Sequence, residues 1–172
     1  MNKENIDLAG ALEIVKNSIS DPAAGLPKAV FRFISEITPL VNVDLLILDS
    51  VEGVLLTWRP TGNYPAGWHL PGGIIRVKES FESRVEQVAR NELGVGVSEC
   101  IGPIDINQMI HSEAKTRVHF VSLLYRVRIS GALDEKKRSR EVEPSDGQWA
   151  WHKKWPHNLY GPQSVYRQHS LS

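Results

Sequence analysis

The 172-residue sequence contains one cysteine, Cys100. A lone thiol excludes an internal disulfide and suits a reducing compartment. Cys100 itself reads as a small, partly buried side chain near a strand. No stretch approaches the ~18 consecutive apolar residues that a membrane span needs. The polar opening MNKENIDLAG lacks the hydrophobic stretch of a signal peptide, so a cytoplasmic protein without a membrane partner is expected. There is no excess charge of either sign, with 20 basic residues against 20 acidic ones. That balance gives no support for a nucleic-acid partner. Apolar content of 41% at this length is enough for one substantial core.

What is present is concentrated between Leu70 and Val97, LPGGIIRVKESFESRVEQVARNELGVGV. Pro71, Gly72 and Gly73 end an apolar run and let backbone approach a ligand closely. Ser80 is placed to cap a helix, with Glu82 favourable in its first turn. Phe81, Val85 and Val88 recur at helical spacing as a buried stripe, and Gly94 falls where the helix should stop. Glu92 breaks this pattern. It extends the apolar stripe from the last turn, where the helix dipole disfavours a carboxylate by ~0.3–1 kcal/mol. Such a group either ligates a metal beside the Gly-Gly backbone, or splays into water or onto an arginine.

The same stretch resembles the Nudix box. Gly73, Glu79, Glu92, Gly94 and Val95 fall on its spacing, and Ala89 fills its aliphatic position. Gln87 stands where the box has arginine, and Val88 and Asn91 stand where it has two further glutamates. One branch, the GDP-mannose mannosyl hydrolases, is similar in keeping the last glutamate without those two. Thr38–Asp44, Arg59, the run Trp68–Gly73 and His111 also resemble that branch. The resemblance implies a Nudix α/β/α sandwich with a mixed sheet over residues 25–172. It also implies a homodimer and a divalent metal, Mg2+ or Mn2+. Metal contact would come from Gly72 and Glu92, and substrate contact from Asp44, Arg59 and His111. The branch has an arginine directly after the glycine pair, where this chain has Ile74; Arg76, two residues on, is the candidate replacement. A glutamine-histidine pair that the branch uses as metal ligand and base corresponds to Glu143–Gln148, which holds no histidine. Glu143 or Asp146 would then serve as base or second metal ligand.

Read without the resemblance, several of these residues have plainer roles. Asp44 is then a surface charge at a strand end, Arg59 a solvated arginine, and His111 an exposed loop residue. Trp68 and Tyr64 either stack on a ligand or pack. In chain order, residues 1–24 form an extension with a helix around Leu8–Ile19. A second helix spans Pro27–Ile37 and buries Ala29, Val30, Phe33, Ile34 and Ile37. Strands follow at Val43–Asp49 and Gly53–Trp58, then an antiparallel pair at Ser98–Met109 and Val118–Ile129, then Trp149–Trp151. Arg59–Gly67 is long enough for a binding loop. Glu135–Glu141 reads as a solvated charge run, and Pro162–Gln168 as a short helix.

With one carboxylate, a metal is better suited to neutralising a leaving diphosphate than to activating water at phosphorus. The expected reaction is therefore attack at sugar C1 of a nucleotide sugar, GDP-mannose or a relative, releasing nucleoside diphosphate. Pyrophosphate cleavage would require further carboxylates, with Glu79, Glu86, Glu143 and Asp146 as candidates. The missing box residues also leave open a non-catalytic nucleotide-sugar binding protein.

Overall fold

The computed structural model describes residues 7–62, 65–110, 119–141 and 143–171. Two helices, α1 (Leu8–Asn17) and α2 (Lys28–Ile37), precede strands β1 (Leu40–Asp49), β2 (Gly53–Arg59), β3 (Gly67–His69) and β4 (Gly72–Ile74). Helix α3 (Phe81–Val88) runs into a π-helical turn, Ala89–Leu93. Strands β5 (Gly96–Ile110), β6 (His119–Ser130) and β7 (Trp149–His152) follow, and a 3-10 helix at Gly161–Gln168 ends the fold.

Period-2 alternation separates the layers. Val43, Leu45 and Ile47 of β1 are buried with Val85, Val88, Ala89 and Leu93, so this face of the sheet carries α3. Leu46, from the opposite face, packs instead with Trp68 of β3 and with Leu159 and Tyr166 of the C-terminal segment. Strand β6 divides in the same way, with Leu123, Tyr125 and Val127 toward α3 and Leu124 toward the C-terminal segment. Each such aliphatic side chain contributes about 1.5–3 kcal/mol when fully buried.

The strands form one mixed sheet in the order β3-β2-β1-β6-β5, with β4 added to β1 and β7 to β2. Strand β1 runs parallel to β6 from Leu40↔Phe120 to Ile47↔Val127. Along its other edge it changes partner. Asn42, Val43 and Asp44 pair with Ile74, Gly73 and Gly72 of β4, whereas Leu48 and Asp49 pair with Val54 and Gly53 of β2. The glycine strand and β2 therefore meet β1 on the same edge, and the site lies beside that change of partner.

Both N-terminal helices form close to their expected bounds, but the buried face of α2 differs from expectation. On α2 only Ser35 is buried, its hydroxyl donating to the Arg32 carbonyl at 2.7 Å. Phe33 and Ile37 are exposed, and Ala29 is exposed as well. The inward side keeps Ile34, as expected, with Phe31 one turn before it, and the two line a groove with Leu26, Leu40 and Ile75. Phe81 is also exposed, so the buried face of α3 begins at Arg84. The run Glu135–Glu141 is anchored to the sheet: Ser139 N donates to the Trp149 carbonyl at 2.8 Å, and Trp149 Nε1 to the Asp134 carbonyl at 3.0 Å.

Candidate active site

Helix α3 starts as its sequence requires, with Ser80 Oγ accepting from Ser83 N at 3.1 Å. It ends differently. The widened turn Ala89–Leu93 keeps Ala89 and Leu93 in the core, and Gly94 stops the helix at φ 73°. Single π turns are uncommon and often mark functional positions. From this one Glu92 reaches the glycine strand. Its Oε1 accepts from Gly72 N at 3.1 Å, and its Oε2 from Thr57 Oγ1 at 3.1 Å. His69 Nε2 lies 3.5 Å from Oε2. Glu92 is neither splayed into water nor bound to an arginine.

The glycines are sterically required. A Cβ on Gly72 would lie 2.2 Å from Asp44 Oδ1, and one on Gly73 would lie 2.8 Å from Val88 Cγ2. At Gly72 and Gly73, strand β4 thus passes between Asp44 and helix α3 with no room for a side chain.

Asp44 is 3% exposed. Its Oδ1 accepts from Gln163 Nε2 at 3.1 Å, and its Oδ2 accepts from the hydroxyls of Ser122 and Tyr166. Burial raises the Asp44 carboxyl above the usual range, and the bonds from Ser122 and Tyr166 oppose that rise. Burial, together with the Asp44 charge, also pushes the Tyr166 phenol upward, so it serves as a neutral donor. Gln163 mimics a strand partner for Leu70, accepting from its N at 2.6 Å and donating to its carbonyl at 3.3 Å. The 3-10 helix is thereby tied to the floor of the site.

Asp44, Arg59, His69, Gly72, Gly73, Tyr160 and Gln163 line one cleft, together with Asn42, Met109 and Phe120. The Arg59 guanidinium lies over the Tyr160 ring, 5.1 Å from its centroid. Asp44, Arg59, Gly72 and Gly73 are therefore brought together as expected, with Glu92 joined to them through the Gly72 amide.

Other expected residues stand elsewhere. Arg76 turns away, its guanidinium donating to the Ala23 carbonyl at 3.2 Å and to that of Ala24, where it holds the N-terminal segment. Glu79 is occupied by Arg84, whose Nε and terminal nitrogen lie 2.7 and 2.6 Å from Oε2. An arginine one turn before Gln87 thus holds this glutamate. Glu143 and Asp146 are exposed, on a loop whose Gln148 carbonyl accepts from Trp58 N at 2.7 Å. His111 and Tyr64 lie outside the described residues.

Thr57, His69, Ser122, Tyr160, Gln163 and Tyr166 were not foreseen as site residues. His69 alone had a local signal, since it directly precedes the Leu70–Gly73 turn. The others are polar residues in apolar strands or in the C-terminal segment, recognisable only once the sheet has formed.

The chain belongs to the Nudix family: a model of the NUDIX domain matches residues 38–155, more than half of the sequence. The matched region begins after α2. A MutT NUDIX hydrolase from Burkholderia pseudomallei has a similar fold, with TM-score 0.59 and 21% identity, over 76% of this chain and 97% of that one. A NUDIX hydrolase from Nitrosomonas europaea is similar at TM-score 0.51 and 17% identity, over 66% and 72%. Among curated proteins, the low-salt glycan biosynthesis protein Agl8 of Haloferax volcanii is 34% identical over 83 residues, 48% of this chain. This chain spans 53% of that relative's length. Among the described residues no helix is long and apolar enough to cross a membrane.

Proposed function

We propose that this protein is a divalent-metal-dependent hydrolase of a nucleotide sugar, GDP-mannose or a relative, acting at sugar C1. The observation that carries the reading is Glu92, a single carboxylate fastened to the Gly72 amide beside a cleft that holds Arg59. Glu79, the other box carboxylate, is held by Arg84. Among the described residues no cluster of three acidic, histidine or cysteine ligands is found. That arrangement favours neutralising a leaving diphosphate over assembling a nucleophile at phosphorus. A glycan-biosynthesis relative adds support for a sugar-bearing substrate.

Oxygen donors from Glu92 and the Gly72 backbone suit a hard cation such as Mg2+ or Mn2+. When bound, that cation supplies Lewis-acid neutralisation of the diphosphate. The protein's own groups do the rest. Arg59 can grip the diphosphate through a bidentate fork, leaving the Tyr160 ring to do so. Asp44 keeps Tyr166 and Gln163 at the cleft floor, and as a lining residue it would meet the base or ribose. A water attacks C1, and the C1–O bond breaks with its electron pair going to the diphosphate. Glu143 or Asp146 takes the water proton, and His111 stabilises the negative charge that develops on the diphosphate.

A phosphorus NMR time course with GDP-mannose and Mg2+, run beside Glu92→Gln, tests this. GDP should appear with the natural chain and be lost in the variant. GMP with mannose 1-phosphate would overturn attack at C1. Binding without any product, across a panel of nucleotide sugars, would identify a non-catalytic protein instead.

A further inference from the structure

Helix α3 covers only part of its face of the sheet. Val43, Leu45 and Ile47 of β1 are buried beneath it, as are Leu123, Tyr125 and Val127 of β6. The same face continues past the helix. Val41 pairs with Val121, and Ile106 of β5 pairs with Leu123, so Val41, Ile106 and Ile110 share that face by strand alternation. They are 39%, 63% and 63% exposed, and nothing among the described residues covers them.

Helix α1 is the matching piece. Leu8, Leu12 and Val15 recur at i, i+4 and i+7 as an apolar stripe, yet they are 68%, 48% and 38% exposed, and the helix buries no residue. Glu13 and Lys16, paired at 2.6 Å, lie away from the stripe. A helix of 10 residues without cover is marginal in water, because short helices draw their stability from packing an apolar face. The dimensions agree. Such a helix is ~15 Å long and ~10 Å across. On β5 the distance from Ile106 to Ile110 is about 14 Å, and the two strand spacings from β5 to β1 span roughly 9.5 Å.

The chain's own α1 is held away from this face. Arg76 donates to the carbonyls of Ala23 and Ala24, in the segment that joins α1 to α2. Arg76 follows β4, which borders β1 on the edge away from β6 and β5. The joining segment is thereby fixed beyond one edge of β1, whereas the bare face extends beyond the other.

We propose that α1 of each copy packs on the bare sheet face of a second copy, giving a two-fold dimer by exchange of the N-terminal helix. Surface and occupant are both present in one chain, so a single two-fold operation satisfies both helices and both faces. The helix precedes the region that matches the family, which begins at residue 38. The contact also bears on the site. Met109 and Phe120, paired across β5 and β6, line the cleft from the opposite face of the same strands. The partner's helix therefore supports that wall of the cleft from behind.

Light scattering coupled to size-exclusion chromatography of the full chain tests this in the natural protein, Leu12→Asp and Ile106→Asp. The natural chain should have twice the mass of one copy at micromolar concentration, and each variant should fall to the mass of one copy. A monomeric natural chain overturns the proposal, as does a dimer that survives either substitution. A cross-link decides the matter even if an aspartate variant fails to fold. Leu12→Cys in one copy and Ile106→Cys in the other, each carrying Cys100→Ser to remove the exposed natural thiol, are mixed and treated with a short bis-maleimide. Covalent dimers joining the two kinds of copy are expected, and their absence overturns the exchange. Cross-linking of two Leu12→Cys copies to each other in their place would mean that the helices pair together, and would overturn it as well.

Discussion

Asp44 is the only charge between Leu40 and Leu48 of β1, and its sequence neighbours do not reveal what receives it. Its partners are Ser122, Gln163 and Tyr166, separated from it by 78 to 122 positions in sequence. Local pattern therefore offered a strand-end charge or a ligand contact. The structure adds a third role, a buried acceptor that gathers three donors. Removing it should cost more than blunting its charge. Asp44→Ala strands all three donors and should destabilise by about 3–5 kcal/mol. Asp44→Asn keeps an oxygen for Gln163, offers an amide to hydroxyls that can turn to accept, and removes a desolvated charge. Its cost should be about 1–2 kcal/mol. Urea denaturation of the two variants distinguishes the cases, and equal losses would mean that the charge itself carries the cluster.

Helix α3 shows what spacing conveys and where it stops. Ser80, Glu82 and Gly94 were legible because caps and stops are local, and Val85 and Val88 because burial follows the helical period. The π-helical turn was not legible, since an inserted residue leaves no composition mark, yet it carries Glu92 to Gly72. Nor was Arg84. The box spacing drew attention to Gln87, whereas Glu79 finds its cation one turn earlier, with the Arg84 and Glu79 side chains 7% and 12% exposed. Breaking a pair so enclosed leaves an uncompensated charge. Arg84→Met alone should cost about 3 kcal/mol. In a Glu79→Gln background the same change should cost much less, because no carboxylate is then stranded. A double-mutant cycle by thermal or urea unfolding reads that coupling, and additive losses would show that the two side chains act independently.

Across the whole molecule, the sheet and the short C-terminal helix were largely readable, but the place of that helix against the cleft was not. The β5–β6 pair and the buried middle of β6 follow from alternation and β-rich runs, whereas the 3-10 helix is too short to announce that it forms a wall of the cleft. That wall is fastened at two carboxylates with opposite acid behaviour. Asp44, at one end, is raised by burial above its ordinary 3.8. A raised carboxyl binds its proton more readily folded than unfolded, so its penalty is present at neutral pH and is relieved as pH falls toward 3.8. Asp105, at the other end, accepts from His169 Nε2 and Gln168 Nε2, each at 2.9 Å. Its desolvation would raise it, but the bonds from His169, Asn107 and Ile106 N together hold it below 3.8. Its contribution is present above the unfolded value and is lost as pH falls through the lower, folded one. The two therefore act in separate windows. Between neutrality and about pH 4, the natural chain should gain stability relative to Asp44→Asn. Below about pH 4, it should lose its advantage over Asp105→Asn. Melting temperatures of the three proteins across both windows check the assignment, and parallel curves throughout would show that neither carboxylate is linked to folding.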